Sequence, residues 1–280
     1  MKRATGFDAL RGIGELLRTG NCLIIGVAAL VGYVVGGGRD FQTGLVLALS
    51  VASLGGWGNV INDYFDLSVD RVNKPWRPLV RGVVKPREAL ALGSLLAVLG
   101  VFLSMLVSPL CTVTAIAAAF LLFLYSWQLK RSGLPGNMLV ASLSALSIVY
   151  GGLASPRPSA SLVPGLYAFV IILGRELAKG LEDVRGDTAT GIRTVAAVHG
   201  PRAAVLACAA VLFTLVAISP IPALFLGYGA GYLAAALLGV DLPVLYALSL
   251  LFRDPLANAW RATRVLKIPL FMGLVAFLLG

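Results

Sequence analysis

The stretch FQTGLVLALSVASLGGWGNVINDYFDLSVD, residues 41–70, opens on an apolar run and closes on acids. No charged residue stands between Phe41 and Ile61. About 20 such residues, wound as a helix, cross a hydrocarbon core of roughly 30 Å. Asp63, Asp66 and Asp70 then follow within residues 62–70. Ionisable groups are expensive inside a bilayer, so they mark an edge or a working site.

The rest of the chain supports the membrane reading. It is 58% hydrophobic and 13% charged, with mean hydropathy +0.89. A soluble domain carries about 25% charged residues. Apolar runs of spanning length recur near 21–37, 42–61, 89–107, 110–128, 137–154, 161–180, 203–219, 221–240 and 263–279. Strand-like alternation is absent, which argues against a membrane barrel. The expected fold is an all-α integral membrane protein with nine transmembrane helices, one polytopic domain over 1–280. Residues 241–258 fit either an extension of the eighth span past Pro243 or a separate amphipathic piece.

A net charge of +10 would suit nucleic acid, but its distribution argues otherwise. Lys2, Arg3, Arg11 and Arg18 precede the first run; Arg71, Lys74, Arg77, Arg81, Lys85 and Arg87 follow the second. Lys130 and Arg131 follow the fourth, and Arg175, Lys179, Arg185, Arg193 and Arg202 cluster around the sixth. Arg253, Arg261, Arg264 and Lys267 flank the ninth, leaving Arg39 and Arg157 for the other side. This asymmetry is the positive-inside pattern. It predicts a cytoplasmic N-terminus, an external C-terminus, residence in the cell membrane and no nucleic-acid partner. The first run ends on Gly36-Gly37-Gly38-Arg39 without a cleavage pattern, so it reads as a span rather than a signal peptide. Cys22, Cys111 and Cys208 lack metal or redox spacing, and His199 is the lone histidine. The histidine reads as a loop residue.

Two long connections on the basic side echo each other. One carries Asp66 and Asp70, then Arg77, then Pro86-Arg87; the other carries Asp183 and Asp187, then Arg193, then Pro201-Arg202. The order suggests duplicated helical units. On a helix, Asn62, Asp66 and Asp70 fall at i, i+4 and i+8 on one face, with Asp63 about 100° away. Arg175, Lys179, Asp183 and Asp187 step by four in the same manner, flanked by Glu176 and Glu182. Hard divalent cations take such oxygen ligands, and Mg²⁺ is commonly held by a few carboxylates plus substrate phosphates. The expected ligands are Asn62, Asp66, Asp70, Asp183 and Asp187. Two facing pairs would suit two Mg²⁺ ions and a diphosphate, with Arg77, Arg81, Lys130, Lys179 and Arg193 as phosphate clamps. A solvated, salt-bridged loop is the plainer reading of either cluster alone. A cation-coupled secondary transporter is another, and predicts gradient-driven uptake into liposomes.

The block NDYFDLSVDRVNKPWRP resembles the Asn-Asp-x-x-Asp-x-x-x-Asp motif of the UbiA superfamily of intramembrane prenyltransferases. DVRGD with TGIRT is similar to that superfamily's second aspartate motif, YSWQLKRSGLPGN at 125–137 to its Tyr-Ser…Leu-Lys-Arg…Gly-Asn connection, and LLRTGN at 16–21 to its first-helix opening. The resemblance implies nine helices around a central cavity, cytoplasmic caps bearing the two aspartate motifs, Mg²⁺, and a polyprenyl diphosphate donor. It implies catalytic roles for Asp66, Asp70, Asp183, Asp187 and Lys179. Asn62, Asp63, Arg77, Lys130 and Arg193 would bind the diphosphate, while Arg18, Asn21 and Tyr125 would line the cavity near the reacting carbon. Within the superfamily the blocks look most like the archaeal subfamily that prenylates geranylgeranylglyceryl phosphate, a lipophilic acceptor drawn from membrane lipid. RPLVRG and TVAAVHG depart from that pattern and keep an aromatic acceptor open, such as 4-hydroxybenzoate or a naphthoate.

Overall fold

A computed structural model describes residues 6–280, without the side chains of residues 6–9, 72 and 73. Lys2 and Arg3 of the basic tail lie outside the described residues. Among the described residues every regular element is helical. Eight helices among the described residues are long and apolar enough to cross a membrane, or nine when one bent pair counts as a span. The chain is a multi-pass membrane protein of the expected class.

The chain divides into two compact units. Of the described residues, the first takes in 6–30 and 39–128. It holds α1 (Gly6–Leu17), most of α2 (Thr19–Val35), α3 (Phe41–Phe65), α4 (Leu67–Asn73), α5 (Pro86–Met105) and α6 (Pro109–Trp127). Asp40 caps α3 by accepting from the Thr43 N–H at 2.7 Å, a hydrogen bond that holds its carboxyl below the usual range. Packing is through small residues, as expected where apolar burial cannot drive helices together in lipid. Ser50 of α3 donates to the Gly100 carbonyl of α5 at 2.8 Å, and Trp57 donates to the Ala119 carbonyl of α6 at 3.1 Å. The opposite faces of α5 and α6 expose Phe102, Leu110 and Phe120, as lipid-facing helices do.

The second unit takes in residues 31–38 and 129–280. It holds the end of α2, a 3₁₀ turn at Leu129–Ser132, α7 (Leu134–Leu153), α8 (Leu162–Glu182), α9 (Val184–Thr190) and α10 (Val195–Ile218). The C-terminal part is α11 (Ile221–Phe225), α12 (Ala230–Ala235), a π-helical turn at Ala236–Asp241, α13 (Leu242–Arg253), α14 (Pro255–Val265) and α15 (Lys267–Leu279). Helix α8 packs against α7, α10 and α14 around a core that includes Leu177, Leu181, Cys208, Leu212, Val244, Leu248 and Leu251.

Boundaries shift in this unit. Instead of a span at 221–240, α11 prolongs α10 to Phe225, and the next span runs from Ala230 to Arg253. Gly227, at φ 78°, breaks the chain between them. Residues 241–253 therefore extend the eighth span past Pro243, and Pro255 opens the ninth. His199 sits inside α10, beside the kink at Gly200, rather than in a loop. The π turn carries a buried acid: Asp241 accepts from the Ser219 hydroxyl at 2.6 Å, and Tyr232 donates to the Ser219 carbonyl at 2.9 Å.

One local pattern occurs in both units. A long helix, α3 or α8, ends at an aspartate with near-identical backbone angles: φ −81°, ψ −2° at Asp66 and φ −91°, ψ 0° at Asp183. A seven-residue helix follows, α4 or α9, carrying Asp70 or Asp187.

Candidate active site

In the first unit the motif closes around a guanidinium. Arg77 Nη1 lies 2.8 Å from Asp63 Oδ1 and 3.8 Å from Asp66 Oδ2, and also donates to Asp70 Oδ2. Asn62 donates to Asp66 Oδ2 at 3.2 Å, so the i, i+4 stripe persists across the break after α3. Asp63 does not point away as helical geometry alone predicts. It is 3% exposed and also accepts from Arg18 Nη2 at 2.5 Å. Burial raises the Asp70 carboxyl above its usual range; Arg77 opposes the shift, while Asp66 and Asp63 add to it.

Arg18 reaches Asp63 from the break between α1 and α2. Its φ of 51° makes it the one non-glycine at positive φ among the described residues. Asn59, one turn before Asp63, donates to the Leu17 carbonyl at 2.8 Å and fixes that break. Asn21 is exposed beside it, its N–H donating to the Arg18 carbonyl at 2.7 Å. Arg81 is drawn off to Glu15, and Tyr125 is half-buried near the end of α6.

In the second unit Asp187 is buried and Asp183 half-buried. Burial, with the Asp183 charge beside it, pushes the Asp187 carboxyl up to about 6; a hydrogen bond with Thr194 and the charges of Lys130 and Lys179 pull the other way. Lys130 sits on the 3₁₀ turn, which the Arg193 N–H stitches to residue 193 through the Arg131 carbonyl at 3.3 Å. Gly133 follows at φ 74°, where a Cβ would collide with the Arg193 carbonyl. Arg193 itself is exposed. Lys179 reaches Glu176 at 3.3 Å, as does Arg175, and Glu182 accepts from Thr263 at 2.7 Å. Those two glutamates therefore serve the scaffold.

Sequence reading missed Asn59 and Thr194. Thr194 also caps α10, accepting from the Ala197 N–H at 3.3 Å, and threonine before an apolar run is the signal for that. Asn59 carried no signal beyond its place one turn before the motif.

Among the described residues, no group of three His, Cys, Asp or Glu side chains is arranged to hold a metal ion. The donor chemistry nevertheless fits Mg²⁺. Asp66 and Asp70 offer hard oxygens, and both lie beside the Arg77 guanidinium. The second unit offers two carboxylates, one with a proton affinity suited to exchange for a metal.

Helical spans, a twice-used aspartate break and flanking phosphate-type cations define a polytopic membrane protein equipped for diphosphate chemistry. Residues 23–275 match the UbiA prenyltransferase family, and the chain belongs to it. It is similar to a digeranylgeranylglyceryl phosphate synthase of Hyperthermus butylicus, 39% identical with 97% of each chain covered. A solved structure of digeranylgeranylglyceryl phosphate synthase superposes with TM-score 0.75 at 30% identity, covering 97% of this chain and 98% of that one. A UbiA homologue from Archaeoglobus fulgidus bound to DMAPP and Mg²⁺ shares the fold at TM-score 0.64 and 17% identity, covering 96% and 99%.

Proposed function

We propose that this prenyltransferase moves a geranylgeranyl group from its diphosphate to the free hydroxyl of geranylgeranylglyceryl phosphate, a step in ether-lipid synthesis. The observation that carries the reading is the 39% identity to a digeranylgeranylglyceryl phosphate synthase over 97% of both chains. The chain acts as one domain over 1–280, in the cell membrane, with its N-terminus and active site cytoplasmic and its C-terminus outside.

Asn62, Asp66, Asp70, Asp183 and Asp187 would hold Mg²⁺, as two ions. The bound metal would supply charge neutralisation of the departing diphosphate. Arg77, Lys130, Lys179 and Arg193 bind phosphate oxygens and stabilise the charge that develops as the allylic C–O bond breaks. The bonding pair leaves with the diphosphate, the acceptor oxygen forms the new C–O bond, and its proton is released. Arg18, Asn21 and Tyr125 line the approach to the reacting carbon. Apolar walls hold the prenyl chain, whose burial contributes about 0.8 kcal/mol per CH₂, and exclude water that would capture the allylic cation.

The test is an acceptor screen. Detergent-purified protein receives Mg²⁺, labelled geranylgeranyl diphosphate and one of geranylgeranylglyceryl phosphate, 4-hydroxybenzoate or a dihydroxynaphthoate. Label should enter the glyceryl phosphate lipid, and Asp66→Ala and Asp187→Ala should each abolish transfer. Label on an aromatic acceptor instead would overturn the acceptor assignment, and full activity in both variants would overturn the site.

A further inference from the structure

Asp63 differs from its companions in the first motif. Its Oδ1 accepts from two guanidiniums, Arg18 at 2.5 Å and Arg77 at 2.8 Å, while its burial, at 3% exposed, equals that of Asp70. A magnesium ion needs a directed oxygen lone pair and keeps several waters around itself. A buried oxygen already shared by two cations offers neither. Two guanidiniums meeting at one carboxylate oxygen would repel each other without that charge between them.

The approach of Arg18 is built with care. Its left-handed backbone turns the chain between α1 and α2, and Asn59 ties the last carbonyl of α1 to α3 one turn from Asp63. Cys22 also donates to that Leu17 carbonyl, at 3.1 Å. On the other side, the same Arg77 nitrogen reaches Asp70 and lies 3.8 Å from Asp66. Asp63 thus joins the α1–α2 break to the aspartates that are candidates for metal.

We propose that Asp63 is a positioning residue rather than a metal ligand: it fixes Arg18 and Arg77 as a pair, and Asn59 sets the backbone from which Arg18 reaches it. The inference rests on the prenyl diphosphate reading and deepens it, since the pair is held ready for the substrate's diphosphate.

The experiment uses the full chain in detergent with Asp63→Asn, Arg18→Gln, their double variant and Asp66→Asn. Mn²⁺ alone probes the metal site, by electron paramagnetic resonance. Geranylgeranyl thiodiphosphate with saturating Mg²⁺ probes diphosphate binding. Asp63→Asn should weaken the thiodiphosphate at least tenfold and leave the Mn²⁺ Kd within twofold. Asp66→Asn should weaken Mn²⁺ tenfold or more. The double variant should be no worse than the poorer single variant by more than twofold, because both remove one interaction. Asn59→Ala should reproduce the Arg18→Gln pattern. Phenylglyoxal labelling of Arg18 and Arg77, read by peptide mass, needs no substrate and should quicken several-fold in Asp63→Asn. If Asp63→Asn does not fold, Arg18→Gln must show the same split between thiodiphosphate and Mn²⁺. Loss of Mn²⁺ binding in Asp63→Asn equal to that in Asp66→Asn, multiplicative effects, or unchanged labelling each overturn the proposal. Wild-type protein that ignores the thiodiphosphate overturns the substrate reading, while the labelling still decides the positioning role.

Discussion

Metal binding at Asp187 should depend on pH. Its carboxyl is raised to about 6 by burial and by Asp183, against the pull of Thr194, Lys130 and Lys179. Proton and metal compete for the same oxygens, so metal binding must release the proton. For a group of pKa about 6, that competition weakens metal affinity roughly tenfold at pH 5 and hardly at all at pH 7. The stability sign runs the other way in the metal-free protein. An unfolded aspartate ionises near 3.8, so the folded state loses stability as pH climbs from there through about 6. Mg²⁺ offsets that loss where the carboxylate is charged. Mg²⁺ titrations of detergent-purified protein at pH 5, 6 and 7, by calorimetry and by thermal unfolding, should show affinity rising about tenfold over that range and a larger Tm increment at pH 7. Asp187→Asn should flatten the pH dependence and weaken the metal throughout. A wild-type affinity that is level between pH 5 and 7, or a slope that survives in Asp187→Asn, would falsify the argument.

Two further outcomes test the scaffold. Gly133→Ala forces a side chain into left-handed backbone and against the Arg193 carbonyl; it should cost about 1–3 kcal/mol and weaken thiodiphosphate binding by disturbing the Lys130 turn, both measurable in detergent. Leu212→Ala empties a fully buried position in the core of the second unit and should destabilise by about 2–5 kcal/mol while leaving Mn²⁺ affinity unchanged.

The sequence carried the architecture because bilayer thickness sets helix length, and the apolar runs are long and nearly free of charge. Helical spacing also placed Asn62 within reach of Asp66, and the structure has that hydrogen bond. The network around Asp63 was not legible, for a physical reason. Helical angle fixes where a Cβ points, but Arg77 comes from beyond α4 and gathers carboxylates from either side of the break. No local pattern announces a partner 14 residues away, let alone Arg18 at 45. The boundary at 221–240 failed because hydropathy does not register a glycine turn between two apolar segments. Asn59 was invisible because its partner is a backbone carbonyl, which has no sequence signature.

The π turn at Ala236–Asp241 explains a spacing that looks irregular. Tyr232, Ala236, Val240, Val244 and Leu248 are all buried, at intervals of four. On a regular α-helix, steps of four drift by about 40° each, and the last of these residues would swing away from the core. The wider turn absorbs the drift. In evolutionary terms it behaves as a tolerated one-residue insertion. Removing one residue between Ala236 and Asp241 would make the backbone more regular and leave Val244, Leu248 and Leu251 facing the interior, whereas removing one from the regular helix on either side would rotate them by about 100°. Here the helix can gain or lose one residue at the turn without changing which side chains face the core.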